Sequence, residues 1–175
     1  MKVGIAGYGV VGKKRHLSIS KNTNFEVTAI SESNPEVHKD IPNGIKVFNN
    51  YKDLISISNI DILLISLPNK FAANAVSLGL ENSLHIFCEK PPSRNLSELL
   101  SVQKISKKYP FLKLMYGFNH RFHLSIEEAK EIIDKNTLGK IINMKGVYGK
   151  SQMISFNQTD WRTKREESGG GILLD

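Results

Sequence analysis

Apolar positions along the chain fall into short runs separated by segments of helical period. Val3, Ile5 and Ala6 form the first run, short enough for a strand buried on both faces. Phe25 to Ile30 and Ile45 to Phe48 read as two further strands. The run from Ile60 to Leu67, I-D-I-L-L-I-S-L, is the strongest buried-strand signal, and Leu84 to Cys88 and Leu112 to Tyr116 follow it. A helix starting near Val10 is expected to turn Val10, Val11 and Leu17 toward the sheet. Asn34-Pro35-Glu36 reads as a turn, with a short irregular or helical piece after it, and Tyr51 to Leu54 as a short helix. A helix from about Lys70 to Leu80 carries Ala72, Ala75 and Val76 on one face. Asn95 and Glu98 form a capping pair for a helix from Leu96 to Lys108. Strands alternating with helices predict an α/β fold with a parallel, doubly wound sheet. Ligands of such sheets gather beyond the carboxyl ends of the strands. Three strand ends therefore matter most: Gly7 to Gly12, Ser66 to Asn69, and Glu89 to Pro92.

The pattern changes near Gly117. Ser125 and Glu128 are expected to form a capping box for a helix running to about Lys135. Ile141 to Tyr148 alternates in character and is expected to be a strand. A polar stretch follows, and Gly169-Gly170-Gly171 leads into Ile172-Leu173-Leu174-Asp175. This reads as one domain over residues 1–118 and the beginning of a second, incomplete domain over residues 119–175.

Gly7, Gly9 and Gly12 stand at the spacing G-x-G-x-x-G, directly after the first strand. In a dinucleotide-binding turn Gly7 permits the tight bend, Gly9 lets the backbone approach a pyrophosphate, and Gly12 lets the helix pack close to the strand. The helix N-terminus presents free N–H groups and a partial positive charge to the phosphates. Tyr8, Val10 and Val11 complete the turn. An acid is expected about 20 residues further on, and Glu32 stands at the end of the second strand. A carboxylate there accepts both ribose hydroxyls and repels a 2′-phosphate, which favours NAD while leaving NADP possible. Ser31 and Ser33 flank it, so a slip of one residue puts a serine at the reading position.

With 175 residues the chain holds one ordinary domain, or one and part of another. The formal charge of +7 suits an anionic ligand, a dinucleotide or a nucleotide-sugar, and also raises nucleic acid. Against the latter, the lysines are scattered, no nucleic-acid motif is present, and Lys13-Lys14-Arg15-His16 reads as a solvated helix face. Cys88 is the single cysteine, which excludes an internal disulfide and fits a reducing cytoplasm. No run has the length of a membrane span, and the sequence opens on a strand rather than a signal peptide.

Several motifs in order along the chain resemble the Gfo/Idh/MocA oxidoreductase family. They are Gly7-Tyr8-Gly9-Val10-Val11-Gly12, Leu67-Pro68-Asn69, Cys88-Glu89-Lys90-Pro91, Gly117-Phe118-Asn119-His120-Arg121-Phe122, Trp161-Arg162 and Ser168 to Asp175. The resemblance implies a Rossmann domain followed by an α+β domain with an open, mainly antiparallel sheet. It implies an NAD(P)-dependent dehydrogenase of sugars or cyclitols, with a nucleotide-sugar as a further substrate class, and a homo-oligomer formed through the second domain. It assigns Lys90 as the catalytic lysine, with a bond to Pro91 that is often cis in the family. Asp175 matches the aspartate of a D-x-G-x-H motif, whose histidine would fall beyond the last residue. The alternative is a dinucleotide-binding fragment without catalysis, because losing an acid–base group costs on the order of 100- to 10,000-fold in rate. Ser33, Ser66, Leu67, Pro68, Asn69, Glu89, Lys90, Asn119, Trp161 and Arg162 join the glycine turn and Glu32 as expected cofactor contacts; no metal site is expected. One departure is Ala72, where the family often has histidine.

Overall fold

The computed structural model describes residues 1–57, 59–147 and 161–170. Six strands, β1 (Lys2–Ala6), β2 (Glu26–Ser31), β3 (Lys46–Phe48), β4 (Ile62–Ile65), β5 (His85–Cys88) and β6 (Leu114–Tyr116), form one sheet in the order β3-β2-β1-β4-β5-β6. Every pairing is parallel. This is the doubly wound arrangement expected from the alternating pattern, and its order reverses between β1 and β4.

The strands divide the core by their period of two. Ala6, Ala29, Leu63, Ile65, Ile86 and Cys88 face one side, where α3 (Tyr51–Ile57), α4 (Asn69–Glu81) and α5 (Leu96–Ser106) cover them. Val3, Ile5, Ile30 and Leu64 face the other side, with α1 (Val10–Ile19) and α2 (Pro35–His38). Helix α4 buries Ala72, Ala75 and Val76 as its spacing predicts. Ala72 is 3% exposed, a small side chain packed into the core. Asn95 caps α5 by accepting the Glu98 N–H at 3.0 Å.

Helix α1 does not present the face its apolar residues suggest. Val10 is 72% and Leu17 67% exposed, and Val11 is also exposed. The inward seam is Gly12, Arg15, His16 and Ile19, spaced i, i+3, i+4, i+7. The phase is set by Gly12, where an added Cβ would lie 2.1 Å from the Gly7 carbonyl oxygen. Close packing at that glycine fixes the rotation of the helix, and the valines point outward. The basic cluster is solvated only in part: Lys14 is exposed and Lys13 pairs at the surface, while Arg15 and His16 turn inward. Lys13 pairs with Asp40 at 2.5 Å, Arg15 with Glu89 at 2.5 Å, and His16 Nδ1 meets the Tyr8 hydroxyl at 2.6 Å.

By contact the chain divides into two units, Met1–Gly117 with Thr159–Asp175, and Phe118–Gln158. Residues 161–170 belong to the sheet unit and contain a one-turn 3-10 helix (Trp161–Thr163) and a helix of four residues, Arg165–Ser168. The other unit holds a 3-10 turn, Asn119–Phe122, and α6 (Leu124–Asp134), with Lys130–Asp134 and Glu131–Lys135 ion pairs. The expected Ser125–Glu128 capping box does not form. The 3-10 turn runs straight into α6, and the first amides, Ile126 and Glu127, donate to the His123 carbonyl at 2.8 and 3.0 Å, which leaves Ser125 inside the helix. Residues 141–147 form no strand, and Tyr148 lies outside the described residues. Alternation prepares a segment for a sheet but supplies no partner strand. No helix among the described residues is long and apolar enough to cross a membrane.

Candidate active site at the carboxyl ends of the strands

The glycine turn is held from beneath. Gly7 has φ +89°, and an added Cβ there would lie 2.6 Å from the Ser66 carbonyl. The Gly7 N–H donates to the Ser31 carbonyl at 2.9 Å, and the Ser66 hydroxyl donates to the Gly7 carbonyl at 2.8 Å. Gly9 differs from its two partners: an added Cβ there would meet nothing within 4 Å. Packing within the chain therefore asks for glycine at positions 7 and 12 but not at 9. Open space over the backbone at Gly9, at the first turn of α1, is what a pyrophosphate approaching the main chain requires.

Glu32 lies across this turn. One carboxylate oxygen accepts the Tyr8 N–H at 2.9 Å and the other accepts the Asn34 N–H at 3.0 Å. The register between Glu32 and its neighbours is thus fixed by geometry. Ser31 is 2% exposed inside β2, Ser33 is exposed, and only Glu32 brings its side chain to the glycine turn. A carboxylate carries about four lone-pair sites, so two backbone donors leave capacity for ribose hydroxyls. His38 Nε2 contacts the Glu32 carbonyl at 2.8 Å and secures the strand end. Tyr8 is buried beneath the turn, and burial lowers the pKa of its partner His16.

At the end of β5 the Lys90–Pro91 bond is cis and Lys90 is exposed. Its neighbour Glu89 accepts from Arg15 Nε, whose guanidinium also lies over the Phe87 ring at 5.3 Å. Arg15 was not legible as a site residue except through its phase: it shares the seam with Gly12 and Ile19. An added Cβ at Gly117 would lie 2.9 Å from Glu89 Oε2, so β6 closes on this carboxylate from the other side. Cys88 is 1% exposed, and burial, with Glu89 nearby, pushes its thiol up to about 12, which suits a core residue rather than a nucleophile.

Leu67 and Pro68 lead into α4, and Asn69 opens it, 5% exposed. The Asn69 amide donates to the Ser168 carbonyl at 2.8 Å. Arg162 stacks over the Trp161 ring at 4.5 Å, on the segment that packs with the sheet unit. Asn119 lies on the 3-10 turn of the other unit. Asp175 lies outside the described residues. The structure thus brings the glycine turn, Ser66, Glu32, Glu89, Lys90 and Asn69 to one edge of one sheet. Among the described residues no group of His, Cys, Asp and Glu could hold a metal ion.

Residues 1–118 match the family described as "Oxidoreductase family, NAD-binding Rossmann fold", GFO_IDH_MocA, and residues 126–175 match the GFO/IDH/MocA C-terminal domain. The chain belongs to the Gfo/Idh/MocA oxidoreductase family. It is 27% identical to levoglucosan dehydrogenase of Pseudarthrobacter phenanthrenivorans over all of this chain and 48% of that protein. It is 28% identical to myo-inositol 2-dehydrogenase of Thermotoga maritima over 80% of this chain and 42% of that protein. The structure of scyllo-inositol dehydrogenase from Lactobacillus casei with bound NAD(H) and scyllo-inositol superposes with a TM-score of 0.74 at 26% identity, covering 79% of this chain and 42% of that one. The chain therefore spans about half the length of the curated relatives it matches.

Proposed function

We propose that this chain is the cofactor-binding part of an NAD-dependent dehydrogenase that acts at a hydroxyl or keto carbon of a sugar, cyclitol or nucleotide-sugar. The observation that carries the reading is the pairing of open backbone at Gly9 with a carboxylate, Glu32, held across the same turn. The turn residues Gly7 to Gly12 hold the pyrophosphate, and Glu32 with Ser33 holds the adenosine ribose. Ser66 to Asn69, Glu89, Trp161 and Arg162 line the rest of the dinucleotide's path. When bound, the nicotinamide accepts or returns the hydride.

Lys90 is the residue of this chain that polarises the substrate oxygen. An ammonium at the end of β5 donates to the substrate oxygen, lowers the pKa of its hydroxyl and stabilises the negative charge that develops there. Asp175 contacts the substrate. The match to dehydrogenases of levoglucosan and inositol supports small polyols as the substrate class. Exposed apolar side chains in the second unit, with Leu124 at 82% and Ile142 at 93%, support association between copies through residues beyond about 119. A single buried thiol supports a cytoplasmic setting.

Titration with NADH and NADPH, followed by nicotinamide fluorescence, tests the reading. NADH is expected to bind more tightly than NADPH. Glu32→Ala is expected to weaken NADH about 10- to 100-fold, the worth of hydrogen bonds to a charged group, and to erase the preference. Lys90→Ala should leave NADH binding largely intact. A protein that is folded by circular dichroism yet binds neither nucleotide would overturn the proposal.

A further inference from the structure

We propose that Arg94 and Asn69 are positioning residues of the cofactor site, latching residues 161–170 onto the carboxyl edge of the sheet so that Trp161 and Arg162 are held for the dinucleotide. The inference rests on the dinucleotide reading above; it gives Arg94 a task that no motif marks and gives Asn69 a second one beside its expected place on the dinucleotide's path.

The segment has little means of standing alone. Its helix Arg165–Ser168 is a single turn, too short to be stable without tertiary contacts. Its order comes from two places on the sheet unit. At the start of α4, the buried Asn69 amide donates to the Ser168 carbonyl at 2.8 Å, and Lys70 pairs with Glu167 at 3.4 Å. In the loop before α5, Arg94 Nη1 donates to the Glu166 carbonyl at 2.5 Å.

Arg94 is aimed rather than merely near. Its Nε and Nη2 donate to Glu98 Oε1 at 2.9 and 2.5 Å, and its own N–H donates to Glu98 Oε2 at 2.9 Å. The guanidinium is a rigid planar fork, so fixing two nitrogens on Glu98 directs the third. Glu98 is fixed in turn because its own N–H is capped by Asn95 at 3.0 Å. Gly169 then allows the closest approach. It has φ +86°, and an added Cβ would lie 2.5 Å from the Arg94 carbonyl oxygen and 2.6 Å from its Cα.

Trp161 is the only tryptophan in the chain, so its fluorescence reports this segment directly. The test uses the full chain with and without NADH. In the unmodified protein, iodide should quench Trp161 poorly, and NADH should quench it by energy transfer to the reduced nicotinamide. In Arg94→Ala, Trp161 should shift to longer wavelength and become accessible to iodide. Tryptic cleavage at Arg162, Lys164 and Arg165, located by mass spectrometry, should accelerate about tenfold, and NADH should bind about tenfold more weakly. Far-ultraviolet dichroism and the melting of the sheet should not change. Arg94→Lys should restore these properties in part, since an ammonium reaches one acceptor but cannot span Glu98 and Glu166 as a fork. Gly169→Ala should reproduce the Arg94→Ala behaviour with the charge left in place.

Unchanged iodide access and proteolysis in both Arg94→Ala and Gly169→Ala would overturn the latch. If the segment is released but NADH binds as before, the positioning role fails and the dinucleotide reading stands. If the unmodified protein binds no NADH, the dinucleotide reading fails and the positioning role fails with it.

Discussion

The glycine turn at residues 7–12 and the segment at residues 161–170 both pack beside the carboxyl ends of the strands, and they are built in different ways. The turn is made of consecutive residues between β1 and α1; Gly12 meets the Gly7 carbonyl of the same βα unit, and Gly7 meets Ser66 and Leu67 at the end of the neighbouring β4. The segment depends on partners far away in sequence: Asn69 reaches Ser168 across 99 positions, and Arg94 reaches Glu166 across 72. A turn of the first kind follows from backbone sterics wherever the flanking strand and helix form. A segment of the second kind exists only once the sheet has already placed its anchors.

Gly12→Ala should break the comparison most severely. A methyl group cannot be accommodated 2.1 Å from the Gly7 carbonyl, so α1 must move away from β1. A loss of about 1–3 kcal/mol is expected from overpacking alone, with dinucleotide binding abolished, readable as a lowered melting temperature together with a flat NADH titration. The turn and the segment should then fail separately, since Trp161 fluorescence reports only the latter.

Asn95→Ala sharpens the difference with a smaller effect. Removing the N-cap of α5 should cost about 1 kcal/mol, measured by urea denaturation. It should also loosen Trp161 partway toward the Arg94→Ala behaviour, because Glu98 loses the capped turn that holds it.

The smallest effect is one of pH, confined to the turn. His16 is buried in part and its pKa lies below the ordinary 6.5, chiefly through desolvation. The unfolded chain therefore binds a proton more readily than the folded one. Stability is retained above the unfolded value and declines as pH falls through 6.5 toward the folded value. A modest drop in melting temperature over that window is expected, and His16→Asn should remove it. Trp161 fluorescence of the native protein should be indifferent to the same change.

Most of the sheet was legible because its signals are local. Apolar runs of strand length, glycines at G-x-G-x-x-G, Pro68 and Asn69 after β4 and the Asn95 cap each act on their own neighbourhood, and each reappears in place. The errors came where local pattern competes with packing. Val10, Val11 and Leu17 look like a buried face, but close approach at Gly12 turns the helix by its own rule and gives the seam to Arg15 and His16. Ser125 and Glu128 satisfy a capping box on paper, but the chain leaving the 3-10 turn places His123 at the N-cap, and its carbonyl is the acceptor.

What the sequence determined by itself is therefore the parallel α/β layering, the position of the glycine turn and the type of residue at each strand end. Periodicity and backbone sterics act over a few residues and are written in the order of the chain. Only the tertiary structure decided that Glu32 rather than a flanking serine meets the turn, that Arg15 secures Glu89, and that Asn69 and Arg94 hold residues 161–170. Those are choices among side chains separated by tens of residues, and they are made by which atoms the sheet brings within hydrogen-bond distance.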